Sequence, residues 1–213
     1  MYVPAAFNEA RIDVLHEMMS SVGAAVVVGQ DADGLVGTHV PIEPDRRPEP
    51  LGTIRCHFAR ANPHARFVAG RELLLIIQGP QGYVTPSWYP SKLQTGKVVP
   101  TWNYIAVHAY GTATTFEDPA KLLAHLTALT AHQESRYQVP WTIDDAPKDF
   151  IAAMCRAIIG IEIKLTRLEG KWKLSQNRTE HDRIGVINGL RALGDEASRR
   201  MADLVEAAHS RKS

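Results

Sequence analysis

The stretch Y-I-A-V-H-A-Y-G-T-A-T-T-F, Tyr104 to Phe116, decides how this chain folds. Tyr104, Ala106, His108, Tyr110, Thr112, Thr114 and Phe116 share one face at a period of two. Ile105, Val107, Ala109, Gly111 and Ala113 share the other. An ordinary strand has about 5–6 residues. One this long belongs to a curved sheet or a barrel.

Further strands flank it. Leu73 to Ile77 is a continuous apolar run, as in a strand covered on both faces. Gly23 to Gly29 and Gly34 to Pro41 read as a hairpin across Asp31-Ala-Asp-Gly34. Gly52 to Phe58 reads as another strand, with Pro41 to Pro50 a proline-rich loop before it. Ile159, Ile161, Ile163 and Leu165 alternate as a last strand, which a turn at Glu169-Gly170 closes.

Helical spacing predicts a first helix over Phe7 to Met19 capped by Asn8, and a short one capped by Asn62 and ended by Gly70. Another begins near Asp118 with Leu122, Leu123, Leu126 and Leu129 on one stripe, and one follows Pro147 to about Ala157. Two helices, Thr179 to Leu193 and Asp195 to His209, close the chain. Strands ahead of any strong helix indicate an antiparallel α+β domain, not a βαβ layout.

A chain of 213 residues suits one domain, which buries about 70% of its unfolded surface. The 24 Lys and Arg against 23 Asp and Glu leave a net charge of +1, so no global field draws it to a phosphate backbone. DNA binding is possible only through a local patch, and the adjacent basic pairs (Arg46-Arg47, Arg199-Arg200, Arg211-Lys212) are scattered. Two cysteines, Cys56 and Cys155, without a C-x-x-C pair or a secretory leader from Met1, predict a reduced cytoplasmic protein. No apolar run reaches the ~20 residues of a membrane helix.

Three of the four tryptophans lie in polar, aromatic clusters: T-P-S-W-Y at 85–89, P-T-W-N-Y at 100–104 and K-W-K-L-S-Q-N at 171–177. Apolar walls beside a few placed polar groups are the anatomy of a small-molecule site. Neither G-x-G-x-x-G nor G-x-x-x-x-G-K-S/T occurs, so any phosphate must be held by side chains.

The order of longer motifs is more specific. His57-Phe-Ala-Arg-Ala-Asn-Pro63 is followed by Tyr83-Val-Thr-Pro-Ser-Trp-Tyr89 with Ser91-Lys92. Then come Val99-Pro-Thr-Trp-Asn-Tyr104 with His108 and Tyr110-Gly111, and Glu169-Gly-Lys-Trp-Lys-Leu-Ser-Gln-Asn177 with Gly185-Val-Ile and Gly189-Leu. Together with the opening Met1-Tyr-Val-Pro4, these resemble the PaiB family of FMN-binding negative transcriptional regulators over nearly the whole chain.

The resemblance implies an α+β fold, an antiparallel split β-barrel of the pyridoxamine-phosphate-oxidase-like kind with flanking helices and a C-terminal helical pair. Residues 1–168 would form the barrel and its inserted helices, and 169–213 the C-terminal motif and hairpin. It also implies a homodimer with flavin mononucleotide (FMN) at the subunit interface, two equivalent sites following from symmetry.

FMN needs its phosphate neutralised, its ring edge bonded and its faces covered. Arg60 is a forked cation suited to phosphate, with Lys92 and Lys173 as further cations and Thr38, Asn62 and Ser91 as neutral donors. Trp88, Tyr89, Trp102 and Tyr104 are candidates to cover the ring, and Asn103, Ser175, Gln176 and Asn177 to bond its pyrimidine edge. His57 joins the cofactor-binding set through its motif. Plainer roles stand beside these: Arg60 pairing with Glu72 or Glu43, Asn62 only capping its helix, and the S-Q-N run capping the next. Convergence of His39, His57 and His108 would admit haem or a metal, whereas separate packing would not. The helix histidines His125 and His132 lack a third ligand. No catalytic residue is identified, although His108 and Tyr110 are the first proton donors to test.

Two functional classes follow. One is the family's regulatory role, for which the terminal helix pair superficially suggests a helix-turn-helix, although Met201, Leu204 and Val205 read as packing residues. The other is an FMN-dependent oxidoreductase or flavin reductase acting on a small molecule.

Overall fold

The computed structural model describes the backbone of residues 1–210 and the side chains of residues 1–208. The basic pair Arg211-Lys212 lies outside the described residues. In chain order the elements are β1 (Asn8–Glu9), α1 (Ile12–Val22), β2 (Ala24–Gln30), β3 (Leu35–Pro41), β4 (Glu43–Asp45), β5 (Thr53–Ala59), β6 (Glu72–Val84) and α2 (Ser91–Thr95). There follow β7 (Thr101–Phe116), α3 (Pro119–Glu134), α4 (Lys148–Arg156), β8 (Ile158–Lys173), α5 (Glu180–Leu193) and α6 (Glu196–Ser210). The eight strands form one antiparallel sheet, ordered β3-β2-β6-β7-β8-β5-β4, with β1 paired to β8 off that path. The long alternation around His108 is a single strand of 16 residues, β7, with Asn103, Ile105, Val107, Ala109, Gly111 and Ala113 buried.

The chain divides into two compact units. One, the hairpin unit, comprises Arg11–Ile77 and His108–Leu168. Here β2 and β3 close across the expected turn, with the Asp31 N–H donating to the Gly34 carbonyl at 2.9 Å. Val27 pairs with Leu75, Ile54 with Ile163 and Cys56 with Ile161, and all six side chains are fully buried. Each large aliphatic side chain so buried contributes about 1.5–3 kcal/mol. Burial pushes the Cys56 thiol up to about 12, so it acts as a small hydrophobe and not as a nucleophile. The run 73–77 alternates instead of being covered on both faces: Leu73, Leu75 and Ile77 are buried, Leu74 and Ile76 half-buried. The segment expected as a loop between Pro41 and Pro50 carries β4, paired with β5 through Glu43–Arg55 and Asp45–Thr53.

The other, the termini unit, comprises Met1–Ala10, Gln78–Val107 and Glu169–Ser213. Asn8 pairs with Lys171 and Glu9 with Gly170, and that small ladder overturns two expectations. Glu169-Gly170 is no turn but the continuation of β8, and Asn8 is no helix cap because its backbone belongs to a strand. The first helix accordingly starts at Ile12, with Arg11 as its N-cap. At the other end, Thr179 caps α5 by accepting from the Asp182 N–H, and α6 buries Met201, Ala202 and Val205. The motif Gly185-x-x-x-Gly189 makes room on α5. A Cβ at 189 would lie 2.3 Å from the Trp88 ring and one at 185 would lie 2.0 Å from the Trp88 carbonyl oxygen.

Candidate functional site

The fifteen candidate residues separate by unit: Thr38, His57, Arg60 and Asn62 lie in the hairpin unit, and the other eleven lie in the termini unit.

In the termini unit the end of β8 carries Lys171 and Lys173 two residues apart, the spacing that places side chains on one face of a strand. Both ammonium groups stand over the Tyr104 ring, at 5.3 and 5.9 Å from its centroid. The Lys171 ammonium donates to the Tyr2 carbonyl at 3.0 Å, and that of Lys173 donates to the Thr101 hydroxyl and the Trp102 carbonyl. The Arg178 guanidinium covers the Tyr89 ring at 4.7 Å. Burial, then the charges of Lys171 and Arg178, hold the Lys173 ammonium below its usual range. None of the three cations ion-pairs with a carboxylate among the described residues. Beside them Tyr83 and Trp102 meet edge to face at 5.8 Å, and each ring is about half exposed, 47% and 52%. Clustered cations without a counter-anion, next to exposed aromatic faces, suit a flat ligand that carries negative charge.

The remaining candidates here are built into the scaffold. Asn103 and Ser175, both buried, bond each other: the Asn103 amide donates to the Ser175 hydroxyl at 3.0 Å, and that hydroxyl donates back at 3.2 Å. Ser175 adopts a left-handed backbone, φ 64°, at the tight bend after β8. Gln176 closes the same bend, accepting from the Leu174 N–H and donating to the Trp172 carbonyl. Ser91 gives both its N–H and its hydroxyl to the buried Asp182 carboxylate, which ties the start of α2 to α5. Trp88 lies against the two glycines of α5, and Tyr89 is buried. Lys92 and Asn177 are exposed.

In the hairpin unit two polar clusters form. The Asn62 amide donates to the Thr38 hydroxyl at 3.2 Å, and that hydroxyl bonds His64 Nδ1 at 2.9 Å. Asn62 also caps its short 3-10 turn through the His64 N–H. His64 is buried with its Nε2 against Gly29, where a Cβ would stand 2.6 Å away. In the second cluster the Glu43 carboxylate bonds His125 Nδ1 at 2.8 Å, and His125 Nε2 meets His57 Nδ1 at 3.1 Å. Burial, then the neighbouring His125, keep the His57 imidazole below its ordinary range. A carboxylate only accepts, so the His125 Nδ1 facing Glu43 is the donor of that bond, and with Nδ1 as its only N–H the ring accepts from His57 at Nε2. That leaves the outer Nε2 of His57 as an acceptor. Arg60 pairs with neither Glu72 nor Glu43: it donates to the Glu117 carboxylate at 2.8 Å and to the carbonyls of Arg156 and Ile158.

Lys171, Arg178 and Tyr83 are absent from the sequence-derived set, as are His125 and Glu43. Reading 169–173 as a strand would have flagged the first, since Lys-Trp-Lys then puts both lysines on one face. Nothing in the sequence spacing joins Glu43, His57 and His125, which come from β4, β5 and α3.

Comparisons with known proteins bear on the family and the cofactor. A family model described as "Putative FMN-binding domain" matches residues 1–167. The chain is 31% identical to the protease synthase and sporulation protein PAI 2 of Bacillus subtilis, with 97% of each chain covered. It is 32% identical to an uncharacterized protein, AN0679, of Emericella nidulans, with 96% of each covered, so its relatives include fungal as well as bacterial proteins. Among solved structures it resembles a conserved hypothetical protein of Mycobacterium tuberculosis, with a TM-score of 0.56 and 13% identity over 85% of this chain and 95% of that one. It also resembles a FAD and heme binding protein of Mycobacterium smegmatis, with a TM-score of 0.53 and 13% identity over 78% and 73%. Eight antiparallel strands, flanking helices and a terminal helical pair are thus the split-barrel architecture. The chain belongs to the PaiB-like family of FMN-binding split-barrel proteins, and FMN is the cofactor that goes with that family.

Proposed function

We propose that the FMN phosphate is held by Lys171, Lys173 and Arg178, with the flavin ring against Trp102, Tyr83 and Tyr104. The observation that carries this reading is that, among the described residues, none of three neighbouring cations has a carboxylate partner, and Lys173 is held below its usual range by burial and then by the charges of the other two. A bound phosphate would relieve that repulsion through charge-assisted hydrogen bonds. Asn103, Ser175 and Gln176 fix the backbone around these cations, and the Tyr104 ring lies beneath the lysines. FMN, when bound, supplies the protein with reversible one- and two-electron chemistry.

The output we propose is negative regulation of transcription by a cytoplasmic homodimer, an inference supported by near-complete coverage of a Bacillus relative named for protease synthesis and sporulation. No helix among the described residues is long and apolar enough to cross a membrane. The terminal helices support packing more than groove reading, since α6 turns Met201, Ala202 and Val205 inward.

Flavin release on denaturation, measured by absorbance at equal protein concentration, tests the cofactor; a colourless protein that fails to bind added FMN overturns it. Salt-dependent binding to promoter fragments, compared with random DNA, tests the regulator. Equal affinity for both at every salt concentration removes that role. Sedimentation velocity tests the dimer, and a monomer at micromolar concentration rejects it.

A further inference from the structure

We propose that the hairpin unit contains a second ligand site, a cavity between α3 and α4 that takes an amphiphilic organic anion: an apolar body bearing one carboxylate or sulfonate head. The cavity has a volume of about 750 Å³, within the range of about 300–1,000 Å³ typical of small-molecule sites. Its wall is mainly apolar, with Leu122, Leu123, Ile143, Ile151, Ala152 and Cys155 contributing. Leu122 and Cys155 are buried and pack with Phe116, so that side is fixed by the core. Leu123 is 40% exposed although it belongs to the apolar stripe of α3, and it lines the opening instead of a packed interface.

The charged groups of the cavity are three cations, Arg60, Lys148 and Arg156, against two carboxylates, Glu117 and Asp144. Arg60 donates three N–H bonds, to Glu117 and to the carbonyls of Arg156 and Ile158. A guanidinium has five N–H donors. Two therefore remain on a group whose orientation three bonds already fix, a preorganised rim for an anionic head. Compensation by Glu117 makes a multiply charged phosphate a poor guest and a monoanion with a large apolar body a good one. The wall supplies the affinity through apolar burial, and the rim selects the sign of the head group.

The site is independent of where the flavin binds, and the test keeps the two apart. The full-length protein is titrated with 8-anilinonaphthalene-1-sulfonate and the probe is displaced with dodecanoate, dodecan-1-ol or inorganic phosphate, while flavin content is read separately by absorbance. Dodecanoate is expected to displace the probe about tenfold more effectively than dodecan-1-ol, and phosphate not at all. Ala152→Trp and Leu123→Trp, which fill the cavity from two sides, are each expected to weaken probe binding about tenfold or more without changing flavin content. Arg60→Gln should narrow the preference for dodecanoate to about threefold or less. Unchanged probe affinity in both tryptophan variants, or equal displacement by the acid and the alcohol in the unsubstituted protein, overturns the proposal. Should one tryptophan variant not fold, the other decides.

Discussion

The charged clusters of the two units use the same residue types in opposite ways. In the hairpin unit Arg60 is tied to Glu117, Arg55 to Glu162 at 2.7 Å, and His125 to Glu43. In the termini unit Lys171, Lys173 and Arg178 find only carbonyls, a hydroxyl and aromatic faces. A compensated charge is part of the scaffold, because its favourable field is already spent. An uncompensated cluster retains an unsatisfied potential that a phosphate can meet. The contrast explains why Arg60, the most attractive phosphate ligand in the sequence, is a weaker candidate than two lysines on a strand.

The contrast can be broken most severely through its scaffold. Gly189→Leu drives a side chain into the Trp88 ring and should cost about 3 kcal/mol or more, an overpacking penalty measurable by urea denaturation. A midpoint within error of the parent protein would contradict the packing of Trp88 on α5. A sharper comparison pits Lys173→Ala against Arg60→Ala in FMN titrations. The first should lose about 1.5–3 kcal/mol of binding, as expected for a charged hydrogen bond, and the second little. The reverse order would return the phosphate to Arg60.

Protons probe the compensated unit. Burial lowers the His64 imidazole, with Asp31 opposing, and burial with His125 lowers that of His57. Between those folded values and the ordinary 6.5 the unfolded chain binds more protons, so stability rises with pH across that window. It is fully present above about pH 6.5 and is lost as pH falls through the folded values. Thermal midpoints taken from pH 8 to pH 5 should decline below that point, and Glu43→Ala should destabilise the protein by about 1–3 kcal/mol at every pH, by leaving the buried Nδ1 of His125 without its acceptor. A flat profile would remove the linkage. The smallest effect belongs to helix capping: Asp118→Ala, which deletes the acceptor of the Lys121 N–H, should cost about 1 kcal/mol, again by denaturation.

Much of the architecture was legible because period-two patterns survive burial. Tyr104 to Phe116 and Ile159 to Leu165 are strands, and Asp31 to Gly34 is the hairpin turn. The failures were long-range. Asn8 has the local chemistry of a cap and Glu169-Gly170 that of a turn, yet the ladder between them overrides both, and no local signal reports a partner some 160 positions away. The candidate site was half legible for the same reason. Aromatics and polar clusters marked Trp102, Tyr104 and Lys173, but whether a donor is spent or available depends on contacts such as Asn103 with Ser175 and Arg60 with Glu117.

The pairing of β1 with β8 also bears on how the protein is made. At about 5–20 residues per second, Asn8 and Glu9 are synthesised roughly 8–33 s before Lys171 and Gly170. The nascent chain can therefore assemble the Ala24–Pro41 hairpin early, while its opening strand waits unpaired and α5 is still to come. The site proposed for FMN can take shape only after Lys171, Lys173 and Arg178 have been synthesised, so on that reading cofactor capture waits for β8 and does not guide the early hairpin.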